Sequence, residues 1–211
     1  MAVLPHAQHE HVRERLEREG LSDRIKLLFE DYRKLTGKFD KAVSIEMFEA
    51  VGLAYYDDYF GAVDRLLGES GTMLLQTITM NEERFHRYRG QPDFLRRYIF
   101  PGGELASVLE IRRSLSRATG LAVSAIEEIG PHYTATLAVW RRAFLSNRER
   151  VRALGFPETF IRMWDYYLGY CQGGFAEGYI GDAQILLAKS GVGSGKRDPQ
   201  RESQVTLTPG R

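Results

Sequence analysis

The stretch FDKAVSIEMFEAVGLAYYDDYF, residues Phe39–Phe60, decides the fold prediction. Its first part, Phe39–Ile45, is a short run with β-branched residues that is typical of a buried strand. A turn with two carboxylates, Glu46 and Glu49, follows, and after Gly52 comes an aromatic-rich segment with helical spacing. In an open α/β sheet, ligands bind beyond the carboxyl ends of the strands. The sequence therefore predicts a ligand site directly after the Phe39–Ile45 strand.

No glycine-rich nucleotide-binding turn comes before this strand. The glycines upstream of Phe39 are Gly20 and Gly37, which are too far apart for a GxGxxG motif. The chain therefore has the pattern of the second half of a cofactor-dependent enzyme.

Composition and charge limit the classes of function. The chain has 211 residues and a formal net charge of +1, which argues against a dedicated nucleic-acid-binding protein. A single cysteine excludes a disulfide framework and fits a reducing compartment. No apolar run approaches the ~18 residues that span a bilayer, and residues 1–20 do not have the pattern of a signal peptide. We expect a cytoplasmic protein with one domain.

Apolar periodicity predicts an α/β domain over residues 1–189. The alternation of strands and helices up to Thr79 indicates a parallel sheet. The predicted strands are Ile25–Phe29, Phe39–Ile45, Gly71–Thr79, Leu121–Ile129 and Ile180–Ala188. The predicted helices are His6–Glu19, Tyr55–Leu67, Glu104–Ala118, His132–Leu154 and Glu158–Gly174. Residues 190–211 are rich in Gly, Ser, Pro and charged residues, so we predict a disordered tail there.

Five motifs occur in order along the chain: SIEMFEAVG (44–52), LLQTIT (74–79), RYIFPGG (97–103), IGPHY (129–133) and YYLGYCQGGF (166–175). With these motifs, residues 5–189 resemble the family of cyclopropane-fatty-acyl-phospholipid synthases and mycolic acid methyltransferases. The resemblance implies a class I methyltransferase fold, which is Rossmann-like, with helical lid insertions and S-adenosylmethionine as cofactor. The implied reaction transfers a methyl or methylene group to a cis double bond of an unsaturated phospholipid acyl chain.

The resemblance also implies that the chain starts late in this fold. The family's first strand, its glycine-rich cofactor loop and its first helix have no counterpart in this sequence. In the family that strand lies in the centre of the sheet, so the Phe39–Ile45 strand is expected to have an unpaired edge, which favours aggregation. We therefore expect a truncated gene product, a fragment, or a chain completed by a complementing N-terminal segment or by homo-oligomer formation.

The resemblance implies an anion cage that holds a bicarbonate ion, the base that acts after methyl transfer. Carried over position by position, its residues are Glu49, Tyr133, Cys171 and the backbone amide of Ile78. The family has a histidine at two positions where this sequence differs. Gln76 stands at one of them, and Ala50, directly after Glu49, stands at the other. A glutamine can still donate a hydrogen bond to an anion, but it does not titrate near neutral pH. We expect Glu49 to be protonated, because a carboxylate would repel the anion.

Each of these residues also has a purely structural interpretation. Cys171, among aromatic residues on a predicted helix, could be a small core residue. Tyr133 has the spacing of an inward-facing helix position. Glu49 could be a carboxylate that stabilises a helix N-terminus, and we prefer that interpretation for Glu46.

The resemblance implies a cofactor site at Gln8, Phe29, Glu30 and Asp31. Gln8 corresponds to a position near the ribose and methionine portion of S-adenosylmethionine. Phe29 and Glu30 correspond to positions around the adenine, and Asp31 is adjacent. The alternative is that these acidic residues simply face solvent after a strand.

Two other features concern partners. The segment Phe94–Phe100 (FLRRYIF) mixes aromatic residues with arginines and is the best candidate for a contact with the membrane surface, which predicts peripheral membrane association. His6, His9 and His11 lack carboxylate or cysteine partners at ligand spacing, so we interpret them as surface residues and predict no metal site.

The sequence therefore predicts a lipid-modifying methyltransferase that uses S-adenosylmethionine and bicarbonate and acts on phospholipid acyl chains. Two alternatives stay open. One is a catalytically inactive remnant that binds lipid or a partner protein, and the other is a small-molecule methyltransferase of the same fold.

Overall fold

The computed structural model describes residues 6–89 and 93–189, so the predicted disordered tail lies outside the described residues. A four-stranded mixed sheet carries helices on both faces. The strands are β1 (Phe39–Ile45), β2 (Leu67–Met80), β3 (Leu121–Glu128) and β4 (Ile180–Lys189). The helices are α1 (His6–Arg18), α2 (Tyr56–Leu66), α3 (Glu82–Arg89), α4 (Val108–Ala118), α5 (Gly130–Ser146), α6 (Arg148–Ala153) and α7 (Glu158–Ala176). Single 3-10 turns lie at Tyr32–Lys34, Phe48–Ala50 and Leu53–Tyr55, and a π-helical turn lies at Leu95–Ile99.

The strand order is β1-β2-β4-β3. As the strand–helix alternation predicts, β1 and β2 run parallel, with Ser44 opposite Leu75. β4 runs antiparallel to both β2 and β3, which apolar periodicity does not predict because it carries no information on strand direction. The beginning of β4 therefore lies beside the end of β2, where Asp182 is opposite Ile78. This arrangement brings three strand ends together at one edge of the sheet.

One face of the sheet packs against α2 and α4. α2 carries apolar residues at helical spacing, and the rings of Tyr56 and Phe60 are fully buried against Phe48. The core continues through Leu75 and Ile185 on the sheet. Phe48 belongs to the turn after β1, so burial of its ring anchors that turn to the core.

The opposite face carries α5 and α7, which pack against each other. Their shared cluster contains Leu137, Leu168, Cys171 and Phe175, and Tyr133 stacks on Phe175 with ring centroids 5.0 Å apart. Side chains alternate along a strand, so neighbouring residues of β2 reach opposite helix layers. β2 therefore connects the two cores.

β1 forms an open edge of the described sheet, as the resemblance implies, because β2 is its only strand neighbour among residues 6–89 and 93–189. The side chains of Val43 and Ile45 are 64% and 54% exposed. Ala42, which points to the other face, packs against the α2–α4 core. Recruitment of a further strand to this edge stays a prediction.

Four predicted elements differ from the structure, and α3 (Glu82–Arg89) was not predicted. The strand predicted from Gly71 begins at Leu67. Ile25–Phe29 is irregular and not a strand, and its apolar side chains are largely exposed because no described strand lies beside them. The helix predicted from Glu104 begins after Ser107, whose hydroxyl accepts a hydrogen bond from the N–H of Glu110 at 3.1 Å. The long helix predicted from His132 is interrupted at Asn147, which separates α5 from α6.

Candidate active site

The turn after β1 positions the candidate site. Glu46 has a backbone φ of 51°, a left-handed conformation that costs a residue with a side chain about 1–2 kcal/mol. Its N–H donates to the carbonyl oxygen of Gln76 at 3.0 Å, which extends the β1–β2 pairing by one residue. The 3-10 turn around the buried Phe48 follows directly. This geometry holds Glu46 and Glu49 beside the end of β2.

Glu49 is fixed by two hydrogen bonds from β2. Its Oε1 accepts from the hydroxyl of Thr77 at 2.7 Å and from the N–H of Ile78 at 2.6 Å. Its Oε2 is buried and has no hydrogen-bond partner among the described residues. Burial raises the pKa of Glu49 although both hydrogen bonds lower it. Burial therefore shifts Glu49 toward its protonated form, in which Oε2 donates to a bound group.

Gln76 is the centre of a polar network on the α5–α7 face. Its amide nitrogen donates to Glu46 Oε1 at 2.9 Å and to the Tyr133 hydroxyl at 3.3 Å. Its amide oxygen accepts from Gln184 Nε2 at 2.8 Å. The residue is buried, and both of its amide hydrogens are used. Gln76 therefore orients Glu46 and Tyr133 and has no free donor for a ligand.

Asp182, near the start of β4, completes a group of carboxyls at this edge of the sheet. Its side chain is fully buried, and neither oxygen has a described partner at normal hydrogen-bond geometry. Burial raises the pKa of Asp182, and the charge of Glu49 raises it further, whereas interactions with Glu46 and Tyr133 lower it. Burial, with the charge of Asp182 adding to it, also raises the pKa of Glu46 to about 7. Ionising both carboxyls at once is therefore disfavoured.

Tyr133 and Cys171 form the helical wall of the site. Tyr133 and Ile78 pack against the α5–α7 cluster that contains Cys171. Burial, and then the charges of Asp182 and Glu46, raise the pKa of Tyr133 to about 12, so its phenol stays protonated. Burial, with the charge of Asp93 second, raises the pKa of Cys171 to about 12. The thiol is therefore neutral at pH 7 and suited to packing or weak hydrogen bonding, not to nucleophilic attack.

The predicted cofactor residues lie on α1 and in the segment before the first 3-10 turn. Gln8 and Glu30 are exposed. The ring of Phe29 is 49% exposed and makes edge contacts with the imidazoles of His6 and His9. The carboxylate of Asp31 is bound by Arg33, through its backbone N–H and its guanidinium, and that side-chain contact lowers the pKa of Asp31 to about 2.

Sequence reasoning missed two carboxyls of the site. We interpreted Glu46 as a helix N-terminal charge, but its carboxyl accepts a hydrogen bond from Gln76. Asp182 was not considered, although an acidic residue inside the apolar segment YIGDAQILL is a detectable signal. Thr77, which lies in the LLQTIT motif, and Gln184, which lies in none of the five motifs, belong to the same network. Glu49 lies in the first turn of the 3-10 helix Phe48–Ala50, and its carboxyl also accepts two hydrogen bonds from β2.

The segment Phe94–Phe100 packs beside α7 and presents aromatic side chains outward. Phe94 contacts the ring of Tyr166 edge-on, with centroids 4.7 Å apart. Tyr98 and Phe100 are 55% and 54% exposed, and the guanidinium of Arg97 lies over the Tyr98 ring. Among the residues that the structure describes, no helix has the length and apolar character needed to cross a bilayer.

The chain is similar in sequence and in fold to known methyltransferases and cyclopropane synthases. The family model described as mycolic acid cyclopropane synthetase matches residues 2–185. The tuberculostearic acid methyltransferase UfaA1 of Mycobacterium tuberculosis is 37% identical over 184 residues, which cover 87% of this chain and 43% of that protein. The cyclopropane-fatty-acyl-phospholipid synthase of Escherichia coli is 36% identical over 179 residues, which cover 85% of this chain and 44% of that protein.

A solved structure shows the same architecture. The crystal structure of mycolic acid cyclopropane synthase CmaA1 complexed with SAH and CTAB matches with a TM-score of 0.75 at 30% identity, over 87% of this chain and 67% of that chain. The fold is therefore the α/β class I methyltransferase fold that the motifs predict. The chain spans less than half the length of the two curated relatives.

Proposed function

Because the chain belongs to the mycolic acid cyclopropane synthetase family, we propose that it provides the acyl-chain site of an S-adenosylmethionine-dependent methyltransferase. The reaction adds a methyl or methylene group to a double bond of an unsaturated phospholipid acyl chain. The family match over residues 2–185 carries this proposal. The polar network at the ends of β1 and β2 supports it, since ligands bind beyond the carboxyl ends of the strands in an α/β sheet.

The side chains of the site suit a reaction that passes through a positive charge on the substrate. S-adenosylmethionine, when bound, supplies an electrophilic methyl group. A carboxylate in the Glu46–Asp182 pair would stabilise the carbocation that follows methyl transfer, because opposite charges interact strongly away from water. The apolar cluster of α5 and α7 lies next to Tyr133 and would hold the acyl chain and exclude water.

Two of the four predicted cofactor residues fit an adenosine group. Phe29 offers a half-exposed aromatic face for stacking, and Glu30 offers an exposed carboxylate that can accept hydrogen bonds from hydroxyl or amino groups. Asp31 fits less well because Arg33 already binds its carboxylate. We therefore assign Phe29 and Glu30 to cofactor binding, with Gln8 as an exposed neighbour on α1.

The expected bicarbonate ion does not fit this site. The N–H of Ile78 donates to Glu49, and both amide hydrogens of Gln76 are used within the network. The carboxyls of Glu46, Glu49 and Asp182 share the site, and any that is ionised would repel an anion. We therefore propose that the chain's own carboxyls take over the role that the resemblance assigns to the ion.

We also propose that the segment Phe94–Phe100 rests on the phospholipid surface. Exposed aromatic rings next to arginines suit the boundary between head groups and acyl chains. Tyr98 and Phe100 supply the rings, and Arg97 supplies the charge. This contact would make the protein peripherally associated with the membrane from the cytoplasmic side and would deliver acyl chains toward α7.

A radiolabel-transfer assay tests the proposed function. The 211-residue chain is incubated with methyl-labelled S-adenosylmethionine and vesicles of a phospholipid with cis double bonds, and the lipids are extracted. We expect label in the lipid fraction with unsaturated vesicles and none with fully saturated vesicles. Glu49→Gln, which cannot donate from Oε2 as an acid, should lower the transfer at least about 100-fold.

Other outcomes identify the alternatives. Label that stays on a water-soluble product indicates a small-molecule methyltransferase. No transfer, together with no heat of S-adenosylmethionine binding by calorimetry, indicates a catalytically inactive remnant. Either result would contradict the proposed function.

A further inference from the structure

We infer that Glu46 and Asp182 form a carboxyl pair that shares one proton, and that this pair is the base that removes the proton released in product formation. The inference rests on the proposed function. It assigns to a group of the chain itself the role of base that the resemblance gives to bicarbonate. It is carried by the position of Glu46, by the network around Gln76 and by the complete burial of Asp182.

The backbone at Glu46 is shaped to direct its carboxyl inward. Among the described residues it is the one non-glycine position with a positive φ, 51°. Glycine adopts this conformation more readily, so a glutamate here needs a compensating contact. The hydrogen bond from Gln76 Nε2 to Glu46 Oε1, at 2.9 Å, is that contact.

Hydrogen bonds of the Gln76 side chain fix its position relative to three other side chains. It donates to Glu46 and to Tyr133, and Gln184 holds its amide oxygen. Since each of its amide hydrogens has a partner, the glutamine cannot rotate without losing one of these bonds. Gln76 is therefore a positioning residue that keeps the Glu46 carboxyl beside Tyr133 and the α5–α7 wall.

Asp182 makes the second half of the pair. It lies opposite Ile78, two residues along β2 from Gln76, and alternate residues of a strand share a face, so the register brings it to the network that holds Glu46. It is fully buried, and its two oxygens lack partners at normal hydrogen-bond geometry. A proton between the two carboxyls would satisfy a buried oxygen that is otherwise unpaired. The raised pKa of Glu46, about 7, agrees with a pair that holds one proton at neutral pH.

The surroundings contain no described cation that would force both carboxyls to ionise. The titratable groups that interact with the pair are Glu49 in the turn after β1, Glu128 on β3, Tyr133 on α5 and Tyr167 on α7. All of them are acidic or phenolic. The pair is therefore singly ionised, with one proton and one negative charge.

The proton balance of the step follows from this state. During methyl transfer the carbon–sulfur bond breaks and a carbon–carbon bond forms, which leaves a cation on the acyl chain. One C–H bond of the transferred methyl then supplies its electron pair to close the three-membered ring, and its proton goes to the ionised oxygen of the pair. No oxidant or reductant is needed. Glu46 is exposed over part of its surface and can release the proton to water, whereas Asp182 is fully buried.

Infrared spectroscopy and kinetics together test the pair. Glu46→Gln keeps an acceptor for Gln76 but removes the acid, and Asp182→Asn removes the other acid. Glu69→Gln, an exposed position at the opposite end of β2, is the matched control. We expect a carbonyl band of a protonated carboxyl to titrate near neutral pH in the wild type and in Glu69→Gln, and this titration step near neutral pH to be lost in the two pair variants.

Turnover is measured in carbon-dioxide-free buffer, with and without added bicarbonate. We expect no effect of bicarbonate on the wild type, and a fall in kcat of at least about 100-fold in Glu46→Gln with little change in KM. A requirement for bicarbonate, or normal turnover of Glu46→Gln, would overturn the inference and leave the proposed function intact. A missing infrared band would contradict the pair itself. A titrating band in a chain that transfers no methyl group would contradict the proposed function and, with it, the pair's role as base.

Discussion

Replacing Glu46 by glutamine should change the pH dependence of folding stability in a defined direction. In the folded chain the pKa of Glu46 rises from its ordinary value of 4.5 to about 7, chiefly through burial. The folded state therefore binds this proton more tightly than the unfolded state. The resulting stabilisation is complete below the unfolded pKa and is lost as the pH rises through about 7.

The size of the effect follows from that shift. A difference of this magnitude corresponds to about 3 kcal/mol if fully expressed. Glu46 is exposed over part of its surface, so solvent screening reduces the expected change to about 1–2 kcal/mol. Relative to the wild type, Glu46→Gln should therefore gain about 1–2 kcal/mol of unfolding free energy between about pH 4 and about pH 8.

Urea denaturation followed by circular dichroism at the two pH values measures this difference. Glu69→Gln is the control, because its exposed side chain should leave the difference from wild type the same at both pH values. If Glu46→Gln also showed a constant difference, the carboxyl of Glu46 would not be held in its protonated form, and the reasoning from its burial would be refuted.

Substitutions at three other positions probe the hydrogen-bond network and the helical wall of the site. Glu49→Ala leaves the Ile78 amide without an acceptor, and the Thr77 hydroxyl keeps only its longer bond to the Ile78 carbonyl oxygen, at 3.4 Å. The unfolding free energy in urea should therefore fall by about 1–3 kcal/mol, whereas Glu49→Gln, which keeps an acceptor, should lose less. Cys171→Ser buries a hydroxyl in an apolar cluster and should cost about 1–2 kcal/mol in thermal unfolding. Because the thiol is neutral, turnover should fall by less than about tenfold, and a larger fall with unchanged stability would contradict that assignment. Gln76→Leu removes a hydrogen bond that favours the ionised form of Glu46, so the pKa of Glu46 should rise further, and a fall measured by infrared titration would be inconsistent with the network.

Most of the fold could be predicted because it depends on local patterns. The strands β1 and β4 and the apolar stripe of α2 are visible in residue spacing alone. Ile25–Phe29 has the same apolar composition but no described neighbouring strand, and it is not a strand. Composition indicates that a segment can pair, whereas pairing itself depends on what lies beside it.

The site could be predicted only where a motif marked it. Glu49, Gln76 and Tyr133 stand in motifs, and the structure brings them into one network that joins them through β2. Asp182 reaches the same place only because β4 runs antiparallel to β2, a long-range fact that spacing along the chain does not contain. Glu46 reaches the network through a backbone with a positive φ. A glutamate rarely adopts this conformation, so its residue type does not predict it.

The site residues on β2 lie in an interior strand of the sheet, where the backbone opens most slowly. Gln76, Thr77 and Ile78 lie where β2 is bordered by β4 on one side and by the end of β1 on the other. Amide deuterium exchange in such an interior strand proceeds only when the whole domain opens, while turns exchange through small local fluctuations. Substrate entry must therefore be accommodated by the Glu46–Ala50 turn and the helices, with β2 as the fixed frame.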